Sequence, residues 1–316
     1  MNASSSTTLR QTTSDRKPAG ALRRRMIHAA AVSLAMLGII AGAPAQAQPA
    51  MWAIKDADST IYALGTVHLL KPDMDWKTPA IKAAIAEADE LWLELPTTNP
   101  EAMASEMMGL IQKYGLSLAR PLSADLSEEE RKVLDEAARP AGLTGAQLEP
   151  FRPWFAAITL STSAIVAAGF DPQSGVDSKV EAAFAERNIK PRGLETPEQQ
   201  IRVFADMKRE DELAFLRQTM NEFEQAEEVM NGLVDAWAKG DIEGLDELLV
   251  TEMRSSSEEL YQALLVGRNA NWVADVMKTL EGSGVSFLAV GAAHLIGEDS
   301  LLAMLAKKGV TIERVQ

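Results

Sequence analysis

Apolar residues along this chain fall into short compact runs that read as strands and longer periodic runs that read as helices. Met51–Ile54 and Thr60–Leu64 predict two short strands joined by an Asp-rich polar turn. Pro79–Ala88 predicts a helix, and Leu91–Leu95 predicts a compact apolar strand stopped by Pro96. The middle of the chain is helical in pattern. Ser127 with Glu130, and Thr144 with Gln147, fit capping boxes. Pro153–Ala168 is apolar nearly all round; its Thr and Ser residues and its length predict a buried core helix rather than a membrane span. From Leu213 to Trp237 apolar residues step by three or four through Leu216, Met220, Phe223, Ala226, Met230 and Leu233. That spacing predicts one long helix with an apolar face, ended by Gly240 and Asp241. The face either packs on the core or forms the seam of a homodimer or a groove for a partner. Further on, Asn269 reads as the cap of a helix reaching Leu280, Val285–Val290 as a buried strand, Asp299–Ala306 as a helix and Val310–Val315 as a closing strand.

The first residues have a different pattern. A Ser/Thr-rich stretch leads to Arg23, Arg24 and Arg25, then an apolar run from Ala29 to Ala43, then Ala45-Gln46-Ala47. A basic cluster, a short apolar run and a small-residue exit read as a cleaved signal peptide over residues 1–47, and the run is too short to make a stable membrane span. The domain to be explained is therefore 48–316, with a helical insertion at about 100–280, and its expected location is periplasmic or secreted.

Charge sharpens this picture. The 316 residues carry a formal net charge of −14, and removing residues 1–47 takes away six basic side chains and one acidic one, leaving −19. An acid excess of this size argues against nucleic acid as a partner, which selects for clustered Lys and Arg. There is no cysteine, so a disulfide framework, a thiolate nucleophile and a Cys-based zinc site are all excluded.

Histidine is scarce and informative. Of three histidines, His28 lies in the presumed signal segment, leaving His68 and His294. Their settings match. Ala63-Leu64-Gly65-Thr66-Val67-His68-Leu69-Leu70 aligns with Ala289-Val290-Gly291-Ala292-Ala293-His294-Leu295-Ile296, each an apolar strand, then Gly-x-x-His, then two aliphatics. Each is followed by a helix and a second strand bearing an acid, Glu94 or Glu313. The glycine is expected to permit a sharp backbone path at the strand exit. The histidine three residues later then sits at the carboxyl edge of the strand, where open α/β sheets place ligands. The predicted fold class is α/β, with a mixed sheet built from two strand-GxxH-helix-strand halves. Two imidazoles and a carboxylate in one crevice would suit a divalent ion such as Zn, Mn, Co or Fe.

Three further residues complete the candidate set. Glu94 lies in an apolar strand, where a carboxylate is costly unless paired, metal-bound or at the strand's open end. Glu195 follows a short strand, Lys190–Leu194, and precedes a helix opened by Thr196 and Pro197; it is either a crevice carboxylate or a structural acid near the helix start. Arg268 either holds substrate and steadies an oxyanion, or forms a structural salt bridge. Asp177, in Gly175-Val176-Asp177, reads as a helix cap.

These residues together resemble the TraB/GumN family, which is related to the Tiki-type metalloproteases. The matching pieces are Gly65–His68, the strand with Glu94, Gly175–Asp177, Gly193-Leu194-Glu195-Thr196 with Gln199, Arg268-Asn269 with Trp272, and Gly291–Gly297. They span about residues 51–316 in order. The resemblance implies an α/β core with a helical insertion and a divalent-metal site made from the paired histidines and acids. It also implies metal-dependent peptide hydrolysis, with manganese or cobalt favoured. The expected assignment is His68, His294 and Glu94 as metal ligands, Glu195 as general base, or Glu94 if it is not a ligand, and Arg268 for substrate or oxyanion. The expected partner is a peptide or protein substrate. The alternative is a non-enzymatic periplasmic protein that binds a peptide or signal.

Overall fold

The computed structural model describes residues 47–97 and 99–316, so the presumed signal segment lies outside the described residues apart from Ala47. β1 (Met51–Lys55) and β2 (Ser59–Thr66) form a hairpin whose turn is held by Asp56, which accepts the N–H groups of Asp58 and Ser59. A helix then runs over Pro79–Glu87, capped by the Thr78 hydroxyl and started by a proline whose missing N–H costs nothing there. β3 (Glu90–Leu93) and β4 (Arg192–Gly193) follow, and β5 (Gly284–Gly291) and β6 (Thr311–Arg314) come near the end of the chain.

The six strands make one sheet in the order β4-β3-β5-β2-β1-β6. β2, β5, β3 and β4 are parallel neighbours, while β1 and β6 run antiparallel at the other side. The fold is thus mixed α/β. β5 is buried continuously from Ser286 to Val290, so both faces of the sheet are covered. The helices Pro79–Glu87 and Val176–Glu186 pack against β5, the latter through Phe184 on Phe287, with ring centroids 5.9 Å apart. Gly267–Leu280 packs against β2 and also against Leu301–Lys307.

The two histidine units sit side by side on β2 and β5, offset by one residue, because Thr66 rather than Gly65 pairs with Gly291. Their second strands part company. β3 joins β5 in parallel, whereas β6 pairs antiparallel with β1, and Glu313 ends exposed beside Lys55 at 2.6 Å. The acid of the second unit is therefore on the outer edge, away from the histidines.

Between β3 and β5 lies the helical part of the chain, with β4 inside it. It has a small apolar core of its own, which includes Leu122, Leu134, Leu148, Leu160, Leu216 and Met220. Both predicted capping residues act there: Ser127 and Glu130 exchange bonds, and Gln147 accepts the Thr144 N–H at 2.9 Å. The helix Pro153–Ala167 buries Trp154, Ala157 and Leu160 but leaves Val166 exposed, so it is a one-sided core helix.

Two predicted helices need correction. The stretch expected as one helix from Leu213 to Trp237 is two, Arg209–Glu222 and Ala226–Ala238, joined by a 3-10 turn at Phe223–Gln225. The apolar spacing holds the reason. Met220, Phe223 and Ala226 are successive steps of three, the repeat of a 3-10 turn, and the break lets Leu216 and Met220 enter the small core while Trp237 enters the main one. Asn269 is not a cap either. The helix already starts at Gly267, directly after a π-helical turn at Gln262–Val266, and Asn269 is buried inside it. Among the described residues no helix is long and apolar enough to cross a membrane.

Candidate functional site

Each of the four parallel strands delivers one candidate residue at its carboxyl end. His68 follows β2, Glu94 follows β3, Glu195 follows β4 and His294 follows β5. Glu94 lies just past the strand rather than within it, because β3 ends at Leu93. Pairing carries on beyond β4: the Glu195 N–H donates to the Glu94 carbonyl at 3.1 Å, which sets the two acids side by side.

The glycines of the two GxxH motifs work by leaving space. Neither has a positive φ, contrary to the expected sharp turn. A Cβ on Gly65 would lie 3.1 Å from Ala292, so its absence lets the two strand exits approach. A Cβ on Gly291 would lie 3.2 Å from Glu94 Oε1, 3.5 Å from His68 Nε2 and 3.6 Å from the His294 ring. All three side chains therefore border the Gly291 backbone.

Both imidazoles are held by Nδ1. Asp177 is the anchor of His68, at 2.8 Å, and its other oxygen accepts the Thr66 hydroxyl at 2.6 Å. Asp177 was expected as a helix cap; instead it stands in the first turn of Val176–Glu186 and faces the site. The Gly175 backbone brings it there, lying so close to the His68 carbonyl that a Cβ would collide with it, while Val176 donates its N–H to Val67. His294 Nδ1 is 2.7 Å from Asn269 Oδ1, and the Asn269 amide nitrogen donates to the Asp299 carbonyl at 2.9 Å. This fixes the amide, so His294 carries its proton on Nδ1 and presents the Nε2 lone pair to the crevice. Trp272 covers the ring, with centroids 4.3 Å apart.

Arg268 ties the cluster together. Its Nε donates to Glu195 Oε1 at 2.7 Å, and Nη2 donates to Glu94 Oε2 at 2.5 Å and Glu195 Oε2 at 2.9 Å. Nη1 donates to the Leu264 carbonyl at 3.2 Å and to His294 Nε2 at 3.1 Å. All five guanidinium donors therefore have acceptors. Glu195 also accepts from Trp272 Nε1 at 3.0 Å, so both its oxygens are engaged. Glu94 accepts the Gly291 N–H on Oε1 at 2.7 Å and Gln200 on Oε2 at 3.3 Å.

Protonation follows from these partners. Burial opposes a charge on His68, but the Asp177 carboxylate overrides it and raises the pKa to about 9. Burial together with the Arg268 charge pushes His294 down to about 3, with Glu94 opposing. Burial favours neutral Glu94, yet the charges of the histidines and Arg268 and the Gly291 N–H hold it at about 2.

The donor set suits a divalent ion in kind, with two oriented imidazoles and a carboxylate, and each histidine has the second-nitrogen partner that metal-bound histidines use. His294 Nε2 and Glu94 Oε1 stand 3.8 Å apart. Among the described residues no three His, Asp or Glu side chains close on a common point where one ion could bind them all. Arg268 takes up the His294 lone pair and neutralises Glu94. Sequence reasoning missed Asp177, Asn269, Thr66 and Gln200 as partners. In the sequence Asn269 and Asp177 stand out only as helix caps and as neighbours of Arg268 and Gly175 in the motif pieces.

A family model described as the TraB/PrgY/gumN family matches residues 50–314. The chain belongs to the TraB/PrgY/gumN family. An uncharacterized protein of Treponema pallidum (strain Nichols) is 20% identical over 273 residues, covering 81% of this chain and 80% of the relative. No solved structure matches the chain. The matched span contains all of His68, Glu94, Asp177, Glu195, Arg268, Asn269 and His294.

Proposed function

We propose that this TraB/PrgY/gumN protein is a divalent-metal-dependent hydrolase that cleaves peptide bonds with an activated water. One observation carries the reading: His68 and His294 are both held through Nδ1 and both stand with Glu94 beside Gly291. His68 Nε2, His294 Nε2 and Glu94 Oε1 would hold the ion, with Mn, Co and Zn the candidates. A bound ion would supply Lewis acidity and a water of lowered pKa. Glu195 has both oxygens taken by Arg268 and Trp272, which suits it to anchoring Arg268. Where Glu94 is not itself a ligand, this carboxylate, which faces both imidazoles, would take the proton of the attacking water. Arg268 Nη1 donates to the same His294 lone pair that a ligand atom needs. Were that lone pair taken by an ion, this Arg268 N–H would be free to donate to the substrate carbonyl oxygen or the oxyanion formed from it.

A non-enzymatic peptide- or signal-binding protein is the second reading, favoured by the fully satisfied Arg268 cluster. Digestion of an unbiased peptide mixture with Mn, Co or Zn separates them. The hydrolase reading predicts metal-dependent cuts by the wild type that fall at least about a hundredfold in Glu94→Gln. Peptide binding without any cut favours the second. Export to the periplasm or outside belongs to the same proposal, resting on the sequence of residues 1–47.

A further inference from the structure

The catalytic cluster fills only one end of its crevice. The space is about 280 Å³, and its remaining wall includes Met230, Leu233, Leu249, Met253, Leu264 and Leu265, with no ionisable side chain among them. Leu265 is buried, while the other five keep part of their surface open. Three come from π-helical turns, Leu249 from Asp246–Thr251 and Leu264 and Leu265 from Gln262–Val266. Such wide turns recur at functional sites, where they re-aim side chains. The second leads straight into Arg268, and the Leu264 carbonyl accepts one of its N–H groups, so wall and catalytic cluster are one piece of backbone.

The crevice also continues. Met230, Met253 and Leu264 line both it and an adjoining groove of about 370 Å³, which extends along Ile165, Phe204, Phe215 and Phe223. Polar groups thus share the crevice with an apolar wall, and the groove beyond adds Glu222 and Glu252 to its aromatic lining. A charged side chain against the crevice's apolar wall would lose its water and find no partner there. The two methionines can adapt to different apolar shapes. About 280 Å³ is at the small end of the range for ligand pockets, a size for one or two side chains.

We propose that this wall is the specificity pocket of the site, and that it takes a bulky apolar side chain, of Leu, Met or Phe type, flanking the scissile bond of a peptide substrate. The proposal rests on the hydrolase reading for the bond cleaved, but the side-chain preference is a property of binding and is measured separately.

The probes are blocked hexapeptides Gly-Gly-Xaa-Xaa-Gly-Gly in which Xaa is Leu, Phe, Gly or Asp. Their binding to the metal-free protein is measured by calorimetry, and their cleavage with manganese by mass spectrometry. The Leu peptide is expected to bind at least about tenfold more tightly than the Gly peptide, with Asp weakest. Leu264→Trp fills the crevice and removes the Leu advantage. Met253→Ala enlarges it and moves the preference towards Phe, so the two variants change it in opposite senses, with circular dichroism confirming that each is folded. Equal binding of Leu, Gly and Asp peptides by the wild type overturns the proposal. So does a Leu advantage left unchanged in both folded variants. Preference in binding with no cleavage of any probe overturns the hydrolase reading and sustains the pocket.

Discussion

At His68 and His294 the decisive detail is which ring nitrogen is already taken. A carboxylate holds one Nδ1 and an amide holds the other, so His68 turns Nε2 towards Gly291 and His294 turns Nε2 towards Arg268 and Glu94. Such partners typically contribute ten- to a hundredfold in metal affinity. Asp177→Ala and Asn269→Ala are therefore expected to weaken manganese binding by about ten- to a hundredfold each, read by calorimetry. Asn269→Ala should also cost about 1–3 kcal/mol of stability in denaturant melts, because the His294 N–H and the Asp299 carbonyl lose their buried partner. Undiminished affinity in both variants would mean that the rings do not act as ligands. The histidines themselves were legible in the sequence because the residue type is rare and the flanks repeat. Their partners were not. Asp177 is 109 positions from His68, and nothing local to either residue encodes that meeting. Arg268 was legible as a candidate, but its joint hold on Glu94 and Glu195 depends on three separate parts of the chain.

At the scale of elements, parallel strand ends build the site and capped helices steer the chain between them. β2, β3 and β5 were readable as compact apolar runs, and β4 only as a brief one. The antiparallel placement of β6 was hidden, since its edge position depends on β1 and not on its own pattern. The break at Phe223–Gln225 was present in the spacing but masked by the regular steps on both sides. The capping box at Ser127 gives a test of its own. The Ser127 N–H, with help from the Arg217 guanidinium, holds Glu130 at about 2, well below an ordinary glutamate. A carboxyl depressed in the fold contributes stability that is fully present above its unfolded pKa near 4.5 and is lost as pH falls through about 2. Thermal melts of Glu130→Gln should therefore fall less steeply than wild type between these two values. Parallel curves would show that the charge on Glu130 adds nothing.

For the whole molecule, one sheet edge carries the chemistry while a helical part with its own small core supplies the walls. The π-helical turns at Asp246–Thr251 and Gln262–Val266 both supply apolar wall residues, and the second links the two functions by running straight into the helix that carries Arg268. The acid excess is spread over a chain whose basic cluster lies in the first 47 residues, which fits a segment read and removed on export. N-terminal sequencing of the protein recovered from expressing bacteria should begin at Gln48, in the periplasm or medium. A cytoplasmic product still carrying residues 1–47 would contradict export.

The central claim is that His68 and His294 are the two imidazole ligands of one divalent ion. Manganese titration of purified wild type, His68→Ala and His294→Ala, followed by calorimetry and by metal analysis after dialysis, tests it most directly. The account predicts one ion per wild-type chain and loss of that ion in each variant, with both variants still folded. Stoichiometric manganese retained by both folded variants, or none bound by the wild type, would contradict it.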